Sequence, residues 1–131
     1  MTKVFIDGSA GTAGLRIHSR LEGRDDLELI TLSGEARKDP AARREALNTC
    51  DLAVLCLPDA ASRESVSMIE NPAVRVVDTS TAHRVAPGWA YGFPELGPGR
   101  REAVISGKRV ASPGCHAGGF IVLVQPLIEA G

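Results

Sequence analysis

The sequence predicts a single domain of the α/β class, in which helices cover both faces of a mostly parallel, doubly wound sheet. Three observations favour this class. Short apolar runs alternate along the chain with segments of helical periodicity, the order that is typical of βαβ units. One run, 51–57, is apolar at every position after the first, as in strands that are buried on both faces. A glycine-rich stretch lies directly between the first run and the first helical segment.

Length and composition exclude several classes of protein. A chain of 131 residues is long enough for one domain with a core. The net charge of −1 predicts no nucleic-acid partner. No apolar run approaches the roughly 18 residues that span a membrane, and no spacing of Cys and His resembles a metal site. Three cysteines, an odd number, argue against a disulfide framework and predict a cytoplasmic protein.

The first predicted strand, 3–7, leads into a glycine-rich turn and then a helix that includes 15–21. Glycines in such a turn let the backbone approach a pyrophosphate closely, and the helix N-terminus attracts its negative charge. The spacing is G-x-x-G-x-x-G, and we expect a Rossmann-like nucleotide site. The alternative is an ordinary glycine-rich loop. The predicted cofactor-binding residues are Gly8, Ser9, Ala10, Gly11, Thr12, Ala13 and Gly14.

The residues after the second predicted strand, 27–32, favour NADP(H) over NAD as the cofactor. An NAD site has an acidic residue here to bind the ribose 2′-hydroxyl, but this chain has Ser33. Arg37 and Lys38 follow closely, and these cations suit a 2′-phosphate. Glu35 in the same loop opposes this interpretation, and the alternative is a solvated charged loop.

The middle of the chain continues the alternation of helix and strand. The strand 51–57 ends at the sheet edge that would face the cofactor, so Leu57 and Pro58 are predicted to line the nucleotide site. The stretch 87–98 has the least regular pattern of the chain, and it is either a loop over the pocket or a packed surface loop. The other predicted elements are helices at 40–49, after 58–62 through about 69, and at 100–105, and strands at 74–78 and 108–111.

The polar stretch 79–84 follows the fourth predicted strand at the same edge of the sheet. Ser80 and Arg84 are candidate substrate-binding residues, since a guanidinium group binds anions well. A surface salt bridge is the alternative for Arg84. We expect His83 to be solvated, which makes it a poor candidate for a catalytic base.

The stretch 112–119 carries the predicted chemistry. Cys115 follows a Pro-Gly turn and precedes an apolar helical segment, 117–129. A helix N-terminus favours the thiolate form of a cysteine, so Cys115 is the candidate catalytic nucleophile. The alternative is a buried packing cysteine. We expect the side chain of His116, a low-ranking substrate-site candidate, to diverge from the sulfur, and the helix to be buried on more than one side and interrupted at Pro126.

Four motifs, in this order, resemble those of N-acetyl-gamma-glutamyl-phosphate reductase of the short-chain type. They are also similar, more distantly, to those of aspartate-semialdehyde dehydrogenase. The resemblance covers essentially the whole chain. The motifs are GSAGTAG at 8–14, DTSTAHR at 78–84, YGFPEL at 91–96 and SPGCHA at 112–117.

The resemblance implies NADPH-dependent reduction of N-acetyl-L-glutamyl 5-phosphate to the 5-semialdehyde, a step of arginine biosynthesis. It implies that Cys115 is the nucleophile and that 8–14 binds the NADPH pyrophosphate. Members of the family continue into a substrate domain with a catalytic histidine, and they form homo-oligomers. We therefore expect 1–131 to be the cofactor-binding half, which alone binds NADP(H) weakly or not at all and turns over no substrate. The alternatives are an aspartyl-phosphate reductase and a non-catalytic nucleotide-binding module.

Overall fold

The computed structural model of the protein describes residues 1–131 and contains one six-stranded sheet. All strands are parallel, in the spatial order β2-β1-β3-β4-β6-β5. The strands are β1 (Thr2–Asp7), β2 (Leu27–Ile30), β3 (Leu52–Leu55), β4 (Arg75–Asp78), β5 (Ala90–Tyr91) and β6 (Arg109–Ala111). The helices are α1 (Thr12–Leu21), α2 (Pro40–Thr49), α3 (Asp59–Ser67), α4 (Arg100–Ser106) and α5 (Cys115–Ala130).

The strand order confirms the predicted doubly wound, Rossmann-like class. The chain moves outward from β1 to β2 and then crosses back over β1 to β3. Crossovers between parallel strands are right-handed, so this reversal puts α1 and α2 on opposite faces of the sheet. The point of reversal, between the carboxyl ends of β1 and β3, is where such folds bind ligands.

Alternation along the central strands supplies a separate apolar core to each face. Val4, Ile6 and Val54 pack with Ile17 and Leu21 of α1. The opposite core is formed by buried residues of β1, β3, β4 and α2 and of the segments next to them, including Met68 directly after α3. Its members include Phe5, Ala46, Leu47, Ala53, Leu55, Met68 and Val76. Because both faces are covered, the central strands are apolar at nearly every position.

The sequence did not predict β5. It lies in the irregular stretch 87–98 and pairs only Ala90 and Tyr91 with β6. A short 3₁₀ helix, Pro94–Leu96, follows it. Two paired residues are too few to show a period, so the stretch carried no strand signal.

The helix α5 differs from the prediction in two ways. It continues through Pro126 without interruption, and none of its residues is buried. The expectation of burial on more than one side was therefore wrong. Phe120 and Leu123 are 66% and 73% exposed, because no other element of the chain covers the outer side of the helix. The inner side lines a groove with Phe93 and Leu96. No helix combines the length and the apolar character needed to cross a bilayer.

Candidate active site

The candidate site lies along the edge of the sheet where the parallel strands end. The glycine loop follows β1, a polar turn follows β4, and the turn that carries Cys115 follows β6. Three inter-strand spacings of about 4.8 Å separate β1 from β6, so the ends of these two strands lie about 14 Å apart. The glycine loop and the candidate nucleophile thus share one edge of the sheet.

Two glycines of the loop occupy positions that no larger residue fits. Gly8 has φ +87°, and a Cβ there would lie 2.3 Å from the carbonyl oxygen of Cys56. A Cβ on Gly14 would lie 2.2 Å from the carbonyl oxygen of Gly8. By contrast, a Cβ on Gly11 would meet its nearest neighbour at 3.5 Å. Gly8 therefore allows close contact with β3, and Gly14 allows α1 to pack against the loop.

The N-terminus of α1 suits an anion. Gly11 is the N-cap, no side chain accepts a hydrogen bond from the first turn, and that turn contains no acidic residue. Thr12 and Ala13 begin the helix. Their N–H groups have no partner within the helix, and the dipole adds positive potential there. This arrangement fits a pyrophosphate.

A cleft of about 310 Å³ opens beside the glycine loop. Six of the predicted cofactor residues line it, namely Gly8, Ser9, Ala10, Arg37, Lys38 and Leu57. Ser33 and Pro58 lie just outside its lining, as the N-caps of the short 3₁₀ helix Gly34–Lys38 and of α3. The Lys38–Glu35 pair, at 3.6 Å, is largely exposed and therefore weak. The cations of the cleft and the glycine cradle together fit a phosphorylated dinucleotide.

The sequence did not single out Arg43, which also lines the cleft. Its Nη2 donates to Asp7 Oδ2 at 3.0 Å and to Ser65 Oγ at 2.7 Å, and Nη1 lies 3.5 Å from Glu64. Burial alone would lower the pKa of Arg43, but Asp7 and Glu64 raise it, so the guanidinium is charged. The available signal was its position three residues before Ala46 on the buried side of α2.

A buried carboxylate organises the turn after β4. Asp78 is fully buried and accepts hydrogen bonds from Ser62 Oγ at 3.0 Å, from the Ser80 N–H at 2.9 Å and from Ser80 Oγ at 2.8 Å. The Nδ1 of His83 lies 2.5 Å from Asp78 Oδ2. Burial would raise the pKa of Asp78, but the bonds from His83, Ser80 and Ser62 outweigh it and lower the pKa. The hydroxyl of Ser80 is thus engaged within the protein.

The expectation that His83 is solvated was wrong. Its ring is buried and stacks on Trp89, with a centroid separation of 4.1 Å and an angle of 10° between the planes. The stacking partner lies in the aromatic stretch after the turn, six residues along the chain. The sequence showed both residues but not that they meet.

Arg84 extends from the polar turn to the cysteine turn. Its Nε donates to the carbonyl oxygen of Ser112 at 3.0 Å, and Nη2 donates to that of Thr79 at 3.2 Å. A Cβ on Gly114 would lie only 2.6 Å from Nη1, so the guanidinium packs directly on that glycine. No carboxylate lies within 4.0 Å of it, so the surface salt bridge considered as an alternative does not form.

Cys115 is the first residue of α5 and is exposed. Gly114 is the N-cap, and no side chain caps the helix. The side chain of His116 does not diverge as expected, because its Nδ1 lies 3.5 Å from the sulfur. Cys50, by contrast, is buried, and burial raises its pKa to about 11. Burial also raises the pKa of Cys56, although a hydrogen bond with Thr79 opposes this.

The fold and the cleft define a dinucleotide-binding α/β domain. The model of the family described as "Semialdehyde dehydrogenase, NAD binding domain" matches residues 3–104. The chain therefore belongs to this family, which confirms the predicted relationship at the level of the domain.

Relatives with high sequence identity are named N-acetyl-gamma-glutamyl-phosphate reductase. The chain is 58% identical over 128 residues to the protein of that name from Burkholderia cenocepacia. The alignment covers 98% of this chain and 41% of that protein. It is 52% identical over 129 residues to the one from Trichormus variabilis, in an alignment that covers 98% of this chain and 40% of that protein. The chain thus spans about two fifths of the length of these curated relatives.

Solved structures with the same fold include aspartate semialdehyde dehydrogenases. The Francisella tularensis protein superimposes with a TM-score of 0.71 at 15% identity, covering 99% of this chain and 41% of that one. The Candida albicans protein, solved with NADP, superimposes with a TM-score of 0.66 at 15% identity. The superposition covers 98% of this chain and 47% of that one. At this identity the likeness concerns the fold alone.

Proposed function

We propose that this chain is the cofactor-binding and nucleophile-bearing part of an NADP(H)-dependent acyl-phosphate reductase. Its substrate would be N-acetyl-L-glutamyl 5-phosphate and its product the 5-semialdehyde. The observation that carries the proposal is that the glycine cradle and the exposed Cys115 share one edge of the sheet. The identity of 58% to a reductase of that name supports the choice of substrate.

The glycine loop and the start of α1 would hold the pyrophosphate of NADP(H). Arg37 and Lys38 would bind the 2′-phosphate, with Ser33 close by, while Leu57 and Pro58 would border the nucleotide. A bound NADPH would supply the hydride that reduces a thioester to an aldehyde. The cationic lining of the cleft supports NADP(H) over NAD.

Cys115 would act as the nucleophile. Its thiolate would attack the acyl carbon, a C–S bond would form, and the C–O bond to phosphate would break and release inorganic phosphate. The N–H groups at the start of α5 would stabilise the oxyanion of the tetrahedral intermediate. Arg84, which has no carboxylate partner, would favour both the thiolate and the anionic substrate. His116, whose Nδ1 lies 3.5 Å from the sulfur, would hold a proton near it.

The remaining expectations concern the whole protein. The part of the relatives beyond the matched two fifths would supply a substrate domain and the surface for a homo-oligomer. A small acyl phosphate, rather than a nucleic acid or a membrane, would be the partner. Three unpaired cysteines support a cytoplasmic location.

A chimera tests this proposal. The chain is joined to the remaining part of the Burkholderia cenocepacia relative, and NADPH oxidation is measured with N-acetyl-glutamyl phosphate and with aspartyl phosphate. We expect oxidation with the first substrate and none in the Cys115→Ser variant. Oxidation with aspartyl phosphate alone would favour the semialdehyde dehydrogenase alternative. A folded chimera that binds NADPH but turns over neither substrate would favour a non-catalytic module.

A further inference from the structure

Arg84, at the end of the turn that follows β4, forms no ion pair with a carboxylate. Asp78 is the carboxylate at the base of the same turn, and Arg84 is only six residues further along. An arginine close to a buried carboxylate normally pairs with it, because a bidentate contact is strong. Here Arg84 donates instead to the carbonyl oxygens of Ser112 and Thr79.

The acceptor positions of Asp78 are already occupied. Oδ1 accepts from Ser62 Oγ and from the Ser80 N–H, and Oδ2 accepts from Ser80 Oγ and from His83 Nδ1. A carboxylate has about four lone-pair sites, so four donors saturate it. His83, the residue directly before Arg84, occupies one of the two positions on Oδ2.

The ring of His83 is itself fixed on its other side. Trp89 stacks on it at 4.1 Å, and only 7% of His83 is exposed. The same turn is held to the first turn of α3, because Asp59 accepts hydrogen bonds from the N–H and the hydroxyl of Thr81. The turn is therefore held by contacts from several elements, and the guanidinium of Arg84 packs on Gly114.

We propose that His83 is a positioning residue. By saturating Asp78 it keeps Arg84 unpaired and directed at the turn that carries Cys115. This role rests on the proposed function of Cys115 as a nucleophile. The titratable and charged groups around this turn and Cys115 include Cys56, Asp59, Asp78, His83, Arg84 and His116.

The test measures the rate at which iodoacetamide alkylates Cys115, followed by mass spectrometry of the peptide that contains it. In His83→Leu we expect the rate at about pH 7 to fall about three- to tenfold, since a cation near a thiol favours the thiolate by this order. His83→Asn retains a donor toward Asp78 and should restore most of the rate.

A double-mutant cycle shows whether the effect passes through Arg84. Arg84→Gln should slow alkylation at least as much as His83→Leu, and the double variant should be no slower than Arg84→Gln alone. His18→Leu, in the last turn of α1 and outside the residues that line the cleft, is the matched control and should react at the rate of the unmodified chain. Should His83→Leu not fold, Ser62→Ala frees one acceptor of Asp78 and should give a smaller slowing, of about twofold, in the same cycle.

Two results would overturn the positioning role of His83, and a third would overturn the proposed nucleophile as well. Alkylation that is unchanged in His83→Leu, or slowed equally with and without Arg84, removes the positioning role and leaves Cys115 as the proposed nucleophile. If Cys115 of the unmodified chain reacts no faster than a cysteine in an unstructured peptide, both the positioning role and the nucleophile fail.

Discussion

Replacing Gly14 by alanine tests whether the glycine loop is shaped to receive a cofactor. The new Cβ would lie 2.2 Å from the carbonyl oxygen of Gly8 and 2.7 Å from the Cα of Ser9. Both neighbours are backbone atoms, so the loop must move away from α1 by about 1.3 Å to reach ordinary contact at roughly 3.5 Å. No rotation of a side chain relieves this overlap.

Two opposing terms set the magnitude. Alanine is favoured over glycine inside a helix by about 1 kcal/mol. Overpacking against a fixed backbone costs about 1–3 kcal/mol. We therefore expect Gly14→Ala to lower the free energy of unfolding by about 1 kcal/mol. The displaced loop should also weaken NADPH binding about tenfold or more, since the backbone N–H groups that would cradle the phosphates move with it.

Gly11→Ala is the matched control, because its Cβ would meet its nearest neighbour at 3.5 Å. The two variants are compared by urea denaturation and by titration of NADPH fluorescence. The titration is made on the chimera if the chain alone binds too weakly. Equal stability and equal affinity for the two variants would refute the reasoning, because an overlap with backbone atoms arises only at Gly14.

Three further predictions follow from contacts elsewhere. Arg43→Met should cost about 3 kcal/mol in chemical denaturation, since it leaves a buried carboxylate at the end of β1 without its cation, whereas the exposed neighbour Arg44→Met should cost under about 1 kcal/mol. Iodoacetamide at about pH 7 should modify Cys115 and spare Cys50, whose pKa burial raises to about 11; modification of both in the folded chain would contradict the burial. Asp78 has a lowered pKa when folded, so its stabilisation is complete above its unfolded pKa of about 3.9 and is lost as the pH falls through the folded value. Unfolding free energies measured between about pH 2 and pH 5 should therefore fall more steeply for the unmodified chain than for Asp78→Asn.

The parts of the fold that local pattern encodes could be predicted from the sequence. The buried strand β3, the Asp39-Pro40 start of α2 and the loop at Gly8–Gly14 each depend on residues that are neighbours in the chain. Asp39 caps its helix through a bond from the Ala41 N–H to Oδ1 at 3.1 Å. Such signals remain readable because no distant contact is needed to produce them.

The parts that depend on distant contacts could not be predicted. Arg43 reaches Asp7, which is 36 residues away, and nothing local marks that pair. His83 is a polar residue in a polar stretch, so its burial follows only from Asp78 and from the stacked ring of Trp89. The apolar residues around α5 predicted burial, but burial depends on what covers a helix, and no element of this chain covers the outer side of α5.

The first turn of α3 joins the two halves of the candidate site. Ala61 lines the cleft beside the glycine loop, and the next residue, Ser62, donates to Asp78. Asp59 at the start of the same turn binds Thr81 in the turn that ends at Arg84. A displacement of this helical turn therefore changes the wall of the cleft and the support of Arg84 together. The sheet brings the cleft and the cysteine to one edge, and α3 provides a continuous packed connection between them.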